Sequence, residues 1–564
     1  MKTIIIGGVA GGASAAARLR RLDEKSEIIM IEREEHISYA NCGLPYYIGG
    51  TITDKEELTL QTPESFRERF AVDVRTRHEV MEIETARKVV RVYDHINDKE
   101  YEETYDKLIL SPGAKPILPH LPNIEDERIF TLRTIPDTYR IYDHVRKDET
   151  KAAVVVGGGF IGLEMAENLV RAGLCVTIVE LSEHVLNPLD YEVACDVHEY
   201  LRQKGIELLL SRAVKAFHPE PKKLTVELDN GDRVKADLVI MSIGITPEST
   251  LAEKAGLDMN GRGAILVDKQ MKTSDPHIYA VGDAVEVTNL INEKPTYIPL
   301  AGPANKQGRI AADNIYGLNS TYKGSQGSSI VKVFDLTVAS TGLNERDVKK
   351  SNFSYDKIYV SSPSHATYYP DSEMINMKVI FEQKNGRLLG AQLVGPDGVD
   401  KRCDLFATAI RMGMTAFDLA ELELCYAPPF SSAKDPVNMA GFAIENVMTG
   451  KIKQFHWHDV EKIQKDEKAL LLDVRTDEEY TEGYIPGNLH IPLDSLRERL
   501  KEIDQTKTLY IYCRSGLRSY IACRMLMQNG FVCHNLSGGY TLYNLVMSDK
   551  SANAAYIHRC REKL

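Results

Sequence analysis

The chain has 564 residues, 43% of them hydrophobic and 27% charged, with a net charge of −12 at pH 7. Single cores stop growing at about 250–300 residues, so this length calls for three or four domains. Interspersed acids and bases with a negative balance exclude a general binder of nucleic acid or anionic membrane, so an anionic ligand must be met by a local basic patch. The nine cysteines (42, 175, 195, 403, 425, 513, 523, 533 and 560) are odd in number and scattered, unlike a dense disulfide framework, and read as reduced thiols. Neither a signal peptide nor an apolar run of about 18 residues is evident, and a cytoplasmic location is expected.

Thr3-Ile4-Ile5-Ile6 reads as a buried strand, followed by Gly7-Gly8-Val9-Ala10-Gly11-Gly12-Ala13-Ser14 and an Ala-rich helix. Such a turn lets a pyrophosphate approach backbone N–H groups at a helix N-terminus. Gly7 and Gly12 fit the G-x-G-x-x-G pattern, with Gly8 between them, but Val9 holds the middle glycine position. The second strand, Glu27-Ile28-Ile29-Met30-Ile31, ends at Glu32, placed to accept the ribose hydroxyls of an adenine nucleotide. Arg18 and Arg21 lie three apart on the intervening helix and share a face, either a solvated surface or a clamp for substrate phosphates. Ser38-Tyr39-Ala40-Asn41-Cys42-Gly43-Leu44-Pro45 then offers one cysteine with no second thiol within five residues. A redox sulfur here must pair with a substrate thiol or with oxygen; a buried structural cysteine is the alternative.

Asp106–Pro116 is a strand broken into a Pro/Gly loop, a domain crossover. Ala153-Val154-Val155-Val156-Gly157-Gly158-Gly159-Phe160-Ile161-Gly162 is a complete fingerprint between strand and helix. Its second strand, Val176–Val179, ends at Glu180, 21 residues after Gly159. A carboxylate there suits the ribose diol of NADH and repels the 2′-phosphate of NADPH, which a nearby Arg or Lys would have to accommodate. Asp237–Pro247 is a second crossover, and Tyr279-Ala280-Val281-Gly282-Asp283 places an acid after a strand and glycine.

Two fingerprints, two crossovers and the Asp283 stretch, in this order, resemble the flavoprotein disulfide reductase superfamily with two dinucleotide domains. The resemblance implies FAD at the first fingerprint and at Asp283, and NADH or NADPH at the second. Within that superfamily the single cysteine of Ser38-x-x-Asn41-Cys42, and Val9, resemble the coenzyme A disulfide reductases and their NADH oxidase and peroxidase relatives. The region from about Gly327 to Asn446 corresponds to a dimerisation domain that completes the partner subunit's active site. There, Tyr368-Tyr369-Pro370 and Cys425-Tyr426-Ala427-Pro428-Pro429-Phe430 imply that Tyr368 (or Tyr369) and Tyr426 reach the substrate sulfur across a homodimer. By position, Ser14, Arg18, Arg21, Ser38, Asn41 and Lys434 match coenzyme A contacts.

After a short linker, Ala469–Arg475 is a buried strand ending in charge and Tyr484-Ile485-Pro486-Gly487 a turn. In Leu509–Ser519, Cys513 stands at a strand end in a loop opening onto a helix, where backbone N–H groups, Arg514 and Arg518 favour a thiolate or bound anion. This resembles the rhodanese domain, whose cysteine carries a persulfide; a dual-specificity phosphatase would want an arginine where Ser519 stands. Cys175, Cys195, Cys523 and Cys533 read as structural, and Cys403 and Cys560 have no assigned role. His456-Trp457-His458 lacks further ligands at zinc spacing, so no metal is expected.

The expected architecture is α/β: two Rossmann-like domains, an α+β dimerisation domain and an α/β rhodanese domain. The expected boundaries are 1–115 with 245–326 for FAD, 116–244 for NAD(P)H, 327–447 for dimerisation, 448–455 as linker and 456–552 for rhodanese. The expected activity is FAD-dependent NAD(P)H reduction of coenzyme A disulfide, coenzyme A persulfide or polysulfide through a Cys42 mixed disulfide, with Cys513 relaying sulfane sulfur. The rivals are an NADH oxidase or peroxide reductase cycling Cys42 through sulfenic acid, and a low-turnover redox sensor or sulfur-carrier partner.

Overall fold

The computed structural model describes residues 1–554, so Cys560 lies outside the described residues. They form two compact units, Met1–Leu181 with Arg212–Gly327, and Ser182–Ser211 with the chain from Ser328 onward. Among the described residues no helix is long and apolar enough to cross a membrane.

In the first unit, Lys2–Ile6 is the centre of a parallel sheet, flanked by Glu27–Glu32 on one side and Lys107–Leu110 on the other. Asp73–Thr76 and Ile278–Ala280 close its edges. Parallel strands covered on both faces need unbroken apolar runs, and Ile4, Ile5, Ile29, Met30, Leu108 and Ile109 are accordingly buried. The Ala10–Leu22 helix packs closely on the Ala301–Ile315 helix. A Cβ on Gly308 would stand 2.2 Å from the Gly11 oxygen, so glycine is what permits that approach. A second parallel sheet sets Ala152–Val156 between Cys175–Glu180 and Leu238–Met241, with Ile129–Phe130 beyond. The two crossovers meet as an antiparallel ribbon, Ala114–Pro116 against Ile245–Pro247.

The second unit holds an antiparallel sheet in the order Ser329–Val333, Leu336–Gly342, Leu388–Gly395, Met374–Glu382, Tyr355–Pro363. It also holds an all-parallel sheet in which Thr508–Tyr512 lies between Ala469–Asp473 and Cys533–Leu536. Lys453–Phe455, within the expected linker, is an edge strand of that sheet, paired with Cys533–Leu536. Three residues are too few to show a period, and only the pairing reveals them.

Buried charge ties Ser182–Ser211 into this unit. The fully buried Lys378 ammonium meets Asp190, Glu192 and Glu345 at 2.7, 2.6 and 2.8 Å, filling a cage of three carboxylates. Asp549, on the Gly539–Ala554 helix, accepts from Arg202 at 2.6 Å, Tyr191 at 2.8 Å and His198 Nδ1 at 3.1 Å. His198 Nε2 in turn accepts from the Val185 N–H, so the imidazole is neutral and both nitrogens are engaged. Burial would raise the Asp549 pKa, but His198 and Arg202 hold it well below the usual carboxylate range. Its stabilising contribution is therefore complete above about pH 4 and fades as the pH falls below that. Asp549→Ala is expected to cost about 3–5 kcal/mol, because it strands a buried imidazole and a guanidinium. The check is thermal unfolding with limited proteolysis of the terminal helix; an unshifted midpoint would show that the network does not hold that helix down.

Candidate functional site

At the first nucleotide turn Gly7 has φ +97°, and a Cβ there would stand 2.1 Å from the Ser111 oxygen. A Cβ on Gly12 would stand 1.9 Å from the Gly7 oxygen, so strand and helix approach as the fingerprint requires. Val9 occupies the N-cap at φ −101°, a conformation open to any residue, which is why the turn tolerates it in the middle glycine position. The Gly8 N–H donates to Glu32 at 2.9 Å, and the Glu34 N–H donates to the other Glu32 oxygen at 3.1 Å. Burial pushes the Glu32 carboxyl up against those two donors. A cavity of about 330 Å³ runs along this turn, lined by Gly7, Glu32, Asn41, Ser111, Arg133 and Asp283.

The second turn repeats the design. Gly157 has φ +109° with the Ser242 oxygen 2.4 Å from where its Cβ would be, and a Cβ on Gly162 would stand 2.0 Å from the Gly157 oxygen. The Gly158 N–H donates to Glu180 at 2.6 Å. Gly159 caps the Phe160–Arg171 helix, and a Cβ there would meet nothing within 4 Å, leaving an open approach to the helix N-terminus.

Cys42 lies in the 3-10 turn Asn41–Gly43 and is exposed. Protein packed around the sulfur pushes its pKa up, and the charges of Glu164 and Asp283 push it further. A second cavity, of about 400 Å³, gathers Ser14, Arg21, Ser38, Gln61, Arg69 and Arg309. Arg18 is not among its lining residues: its Nε donates to Asp313 at 2.6 Å. Asn41 lines the first cavity instead. Arg69, Arg309 and Gln61 carry no motif; Arg309 arrives only because its helix packs on Ala10–Leu22, which no local spacing reveals.

In the second unit the Tyr368 and Tyr426 hydroxyls, from segments 58 residues apart, meet at 2.7 Å. They are 74% and 47% exposed, and Lys434 is exposed as well. Cys513 follows the strand Thr508–Tyr512 and is 1% exposed. Its sulfur accepts from the Gly516 N–H at 3.1 Å and the Ser519 hydroxyl at 3.3 Å, at the start of the Leu517–Gln528 helix. Arg518 lies by the sulfur and forks onto Glu479 at 2.6 and 2.7 Å, while Arg514 is exposed. Arg475 pairs with Asp473 at 2.6 Å, closing the strand end beside the loop. Cys195, Cys403, Cys523 and Cys533 are buried, Cys175 is partly buried and Cys425 exposed.

Residues 1–308 match the family model "Pyridine nucleotide-disulphide oxidoreductase", 328–437 its dimerisation domain and 456–545 the "Rhodanese-like domain". The chain is similar to the Staphylococcus epidermidis "Coenzyme A disulfide reductase", 36% identical over 442 residues, 78% of this chain and 99% of that protein. Among solved structures it is similar to reduced Bacillus anthracis CoADR-RHD, 49% identical with TM-score 0.95, covering 97% of this chain and 98% of that one. It is also similar to an NAD-dependent persulfide reductase from A. fulgidus, 38% identical with TM-score 0.91, covering 96% of this chain and all of that one. With two nucleotide turns, an exposed cysteine beside the first and these matches along its length, the chain belongs to the pyridine nucleotide-disulphide oxidoreductase family, with that family's dimerisation domain and a rhodanese-like domain behind it.

Proposed function

We propose that the protein is an FAD-dependent NAD(P)H reductase of coenzyme A disulfide, coenzyme A persulfide or polysulfide, working through Cys42, with Cys513 relaying sulfane sulfur to it. The observation that carries this reading is one exposed thiol, Cys42, in the same unit as a cavity that two arginines and Arg21 make basic. The first cavity fits FAD: its turn has no room for a Cβ at Gly7 or Gly12, and Glu32 and Asp283 are positioned along it. Bound there, FAD supplies two-electron transfer between a nicotinamide and a disulfide. Gly157, Gly159, Gly162 and Glu180 would hold NAD(P)H, with Glu180 favouring NADH.

The Cys42 thiolate attacks one sulfur of the disulfide, a mixed disulfide forms, and coenzyme A or sulfide leaves with the electron pair. Two electrons from NAD(P)H then return Cys42 to thiolate and release the second thiol. Ser14, Arg21, Ser38, Arg69 and Arg309 would bind the phosphates, with Arg18, Asn41 and Lys434 as further contacts. Tyr368 and Tyr426, exposed and paired, would reach Cys42 of the partner subunit in a homodimer and protonate the leaving thiolate. The domain boundaries stated above, with Lys453–Phe455 moved from the linker to the rhodanese sheet, and a cytoplasmic location belong to the same reading.

Likeness to a "Water-forming NADH oxidase from Lactobacillus brevis", 27% identical with TM-score 0.77 over 80% of this chain, supports a second reading, in which Cys42 cycles through sulfenic acid. That reading leaves the basic cavity and Cys513 without a task. Mass spectrometry of the non-reduced, digested protein separates the two. A coenzyme A adduct on Cys42 is expected; sulfenic or sulfinic acid there with no coenzyme A would favour the oxidase.

A further inference from the structure

The Tyr368 and Tyr426 hydroxyls meet at 2.7 Å although both residues are exposed and neither stands in a helix or strand. A hydrogen bond between water-exposed hydroxyls replaces bonds to water and gains little, so the pair does not hold itself together. Tyr368 lies in the turn between the strands Tyr355–Pro363 and Met374–Glu382, and Tyr426 in the segment leading to the Pro436–Met448 helix. A third element, the Val399–Met412 helix, sends one side chain to both segments.

That side chain is Arg402, which is buried. Its Nη2 donates to the Ser364 oxygen at 2.8 Å on the Tyr368 side and to the Ser431 hydroxyl at 3.2 Å on the Tyr426 side. The same nitrogen donates to Asp435 Oδ2 at 2.9 Å, and Ser431 Oγ donates to that oxygen at 2.7 Å. Asp435 in turn caps the Pro436–Met448 helix, its Oδ1 accepting from the Val437 N–H at 3.0 Å. The Ala366 N–H donates to the Ser431 oxygen at 3.1 Å, so the two segments also join directly. Gly398 has φ +71°, and a Cβ there would stand 2.2 Å from Arg402 Nη1, so the start of the helix leaves room for the guanidinium. Withdrawing two charges from water offsets most of what their attraction returns, so an apolar pair would stabilise the fold as well. What the guanidinium supplies that an apolar side chain cannot is a directed tie to both segments.

We propose that Arg402 is a positioning residue for the Tyr368–Tyr426 pair, holding the two segments so that one phenol donates to the other as a thiolate leaves. This rests on the reading above in which the tyrosines protonate that thiolate. When the Cys42 thiolate attacks R–S–S–R, the S–S bond breaks, Cys42–S–S–R forms, and RS⁻ leaves with the electron pair. RS⁻ takes a proton from one phenol and departs as RSH. The other phenol's O–H donates to the phenolate oxygen so formed, which then regains a proton from water. With the oxygens held 2.7 Å apart the pair is a better acid than a lone phenol, because the charge it acquires has a donor already in place. A shift of about 1 Å at such a pair is enough to cost up to about 10²-fold in rate. Arg402 touches no reacting atom in this scheme and acts only through Ser364, Ser431 and Asp435.

The test uses the full-length holoenzyme as wild type, Arg402→Lys, Tyr426→Phe and the double variant, at equal flavin content, with coenzyme A disulfide as substrate. Lysine keeps a cation against Asp435 but lacks the planar fork that ties Ser364 and Ser431 together. Y426F is expected to lower kcat by about 10–100-fold and R402K by about tenfold. KM, assigned above to Ser14, Arg21, Arg69 and Arg309, should stay within about threefold in both. The decisive readout is the coupling: R402K/Y426F should be slower than Y426F by no more than about twofold, because the pair that Arg402 positions is already broken. Losses that multiply, or an R402K rate equal to wild type, overturn the inference, since a purely structural Arg402 would move stability and leave the coupling at zero. If R402K does not retain flavin, Ser431→Ala carries the same cycle. It keeps the Arg402–Asp435 pair, removes one tie to the Tyr426 segment, and is expected to lose about threefold in kcat, again without multiplying with Y426F. An unchanged rate or multiplying losses there overturn the inference in the same way. Undiminished turnover by Y426F would overturn the tyrosine reading beneath it, and undiminished turnover by Cys42→Ser the reductase reading, so the failures are separable.

Discussion

Cys42→Ser is expected to lower NAD(P)H-driven reduction of coenzyme A disulfide by about 10⁴-fold or more, the scale on which removing a covalent nucleophile acts. A serine hydroxyl has no appreciable anion at neutral pH and does not exchange with disulfides, so the mixed disulfide cannot form. The fold should be indifferent: Cys42 is exposed, in a one-turn segment outside the hydrophobic core, where such a change stays within about 0.5 kcal/mol. The nucleotide turns at Gly7 and Gly157 do not depend on the sulfur, so FAD content and NADH binding should survive. Steady-state turnover at equal flavin content is the measurement. Activity within tenfold of wild type would sink the proposed mechanism and move the chemistry to another thiol, of which Cys425 is exposed.

What the sequence revealed and what it hid follow a physical divide. The second fingerprint is local: Gly157, Gly159, Gly162 and Glu180 meet within one strand–turn–helix–strand, so spacing alone places them, and the Gly158 N–H donates to Glu180 as that pattern implies. Cys513 was legible for the same reason, since strand, loop and helix are contiguous. Arg18 and Arg21 show the opposite case. Helical spacing sets them on one face, yet Asp313, nearly 300 positions away, claims Arg18 while Arg21 lines the basic cavity. Arg518 lies by the Cys513 sulfur as spacing implies, but its fork also engages Glu479 on another element, which spacing does not reveal. Glu164 gives no sign in the sequence beyond lying two residues after Gly162. Its displaced acidity exists only because one helix packs on another, 118 positions from Tyr46. Charge shifts arise from burial and from partners distant in the chain, and neither is encoded in periodicity.

Cys513→Ser should leave coenzyme A disulfide reduction within about twofold of wild type and cut polysulfide-driven NADH oxidation by about tenfold or more. The loop should survive, because a serine oxygen can accept from the Gly516 N–H and the Ser519 hydroxyl as the sulfur does. The variant therefore tests sulfur chemistry rather than folding. Cys513 is 1% exposed, so a donor must deliver a narrow terminal sulfur: an inorganic chain, or a persulfide at the end of a long arm. Glu479 shares the Arg518 guanidinium and Arg514 is exposed, so support for an anionic persulfide would come from the backbone N–H groups and the helix N-terminus together with Arg518. Mass spectrometry after brief exposure to polysulfide should find added sulfur on residue 513 in wild type and none in the variant. If polysulfide turnover is unchanged in the variant, polysulfide reaches Cys42 without Cys513. The rhodanese-like domain would then serve another donor, and the two thiols would belong to separate reactions on one chain.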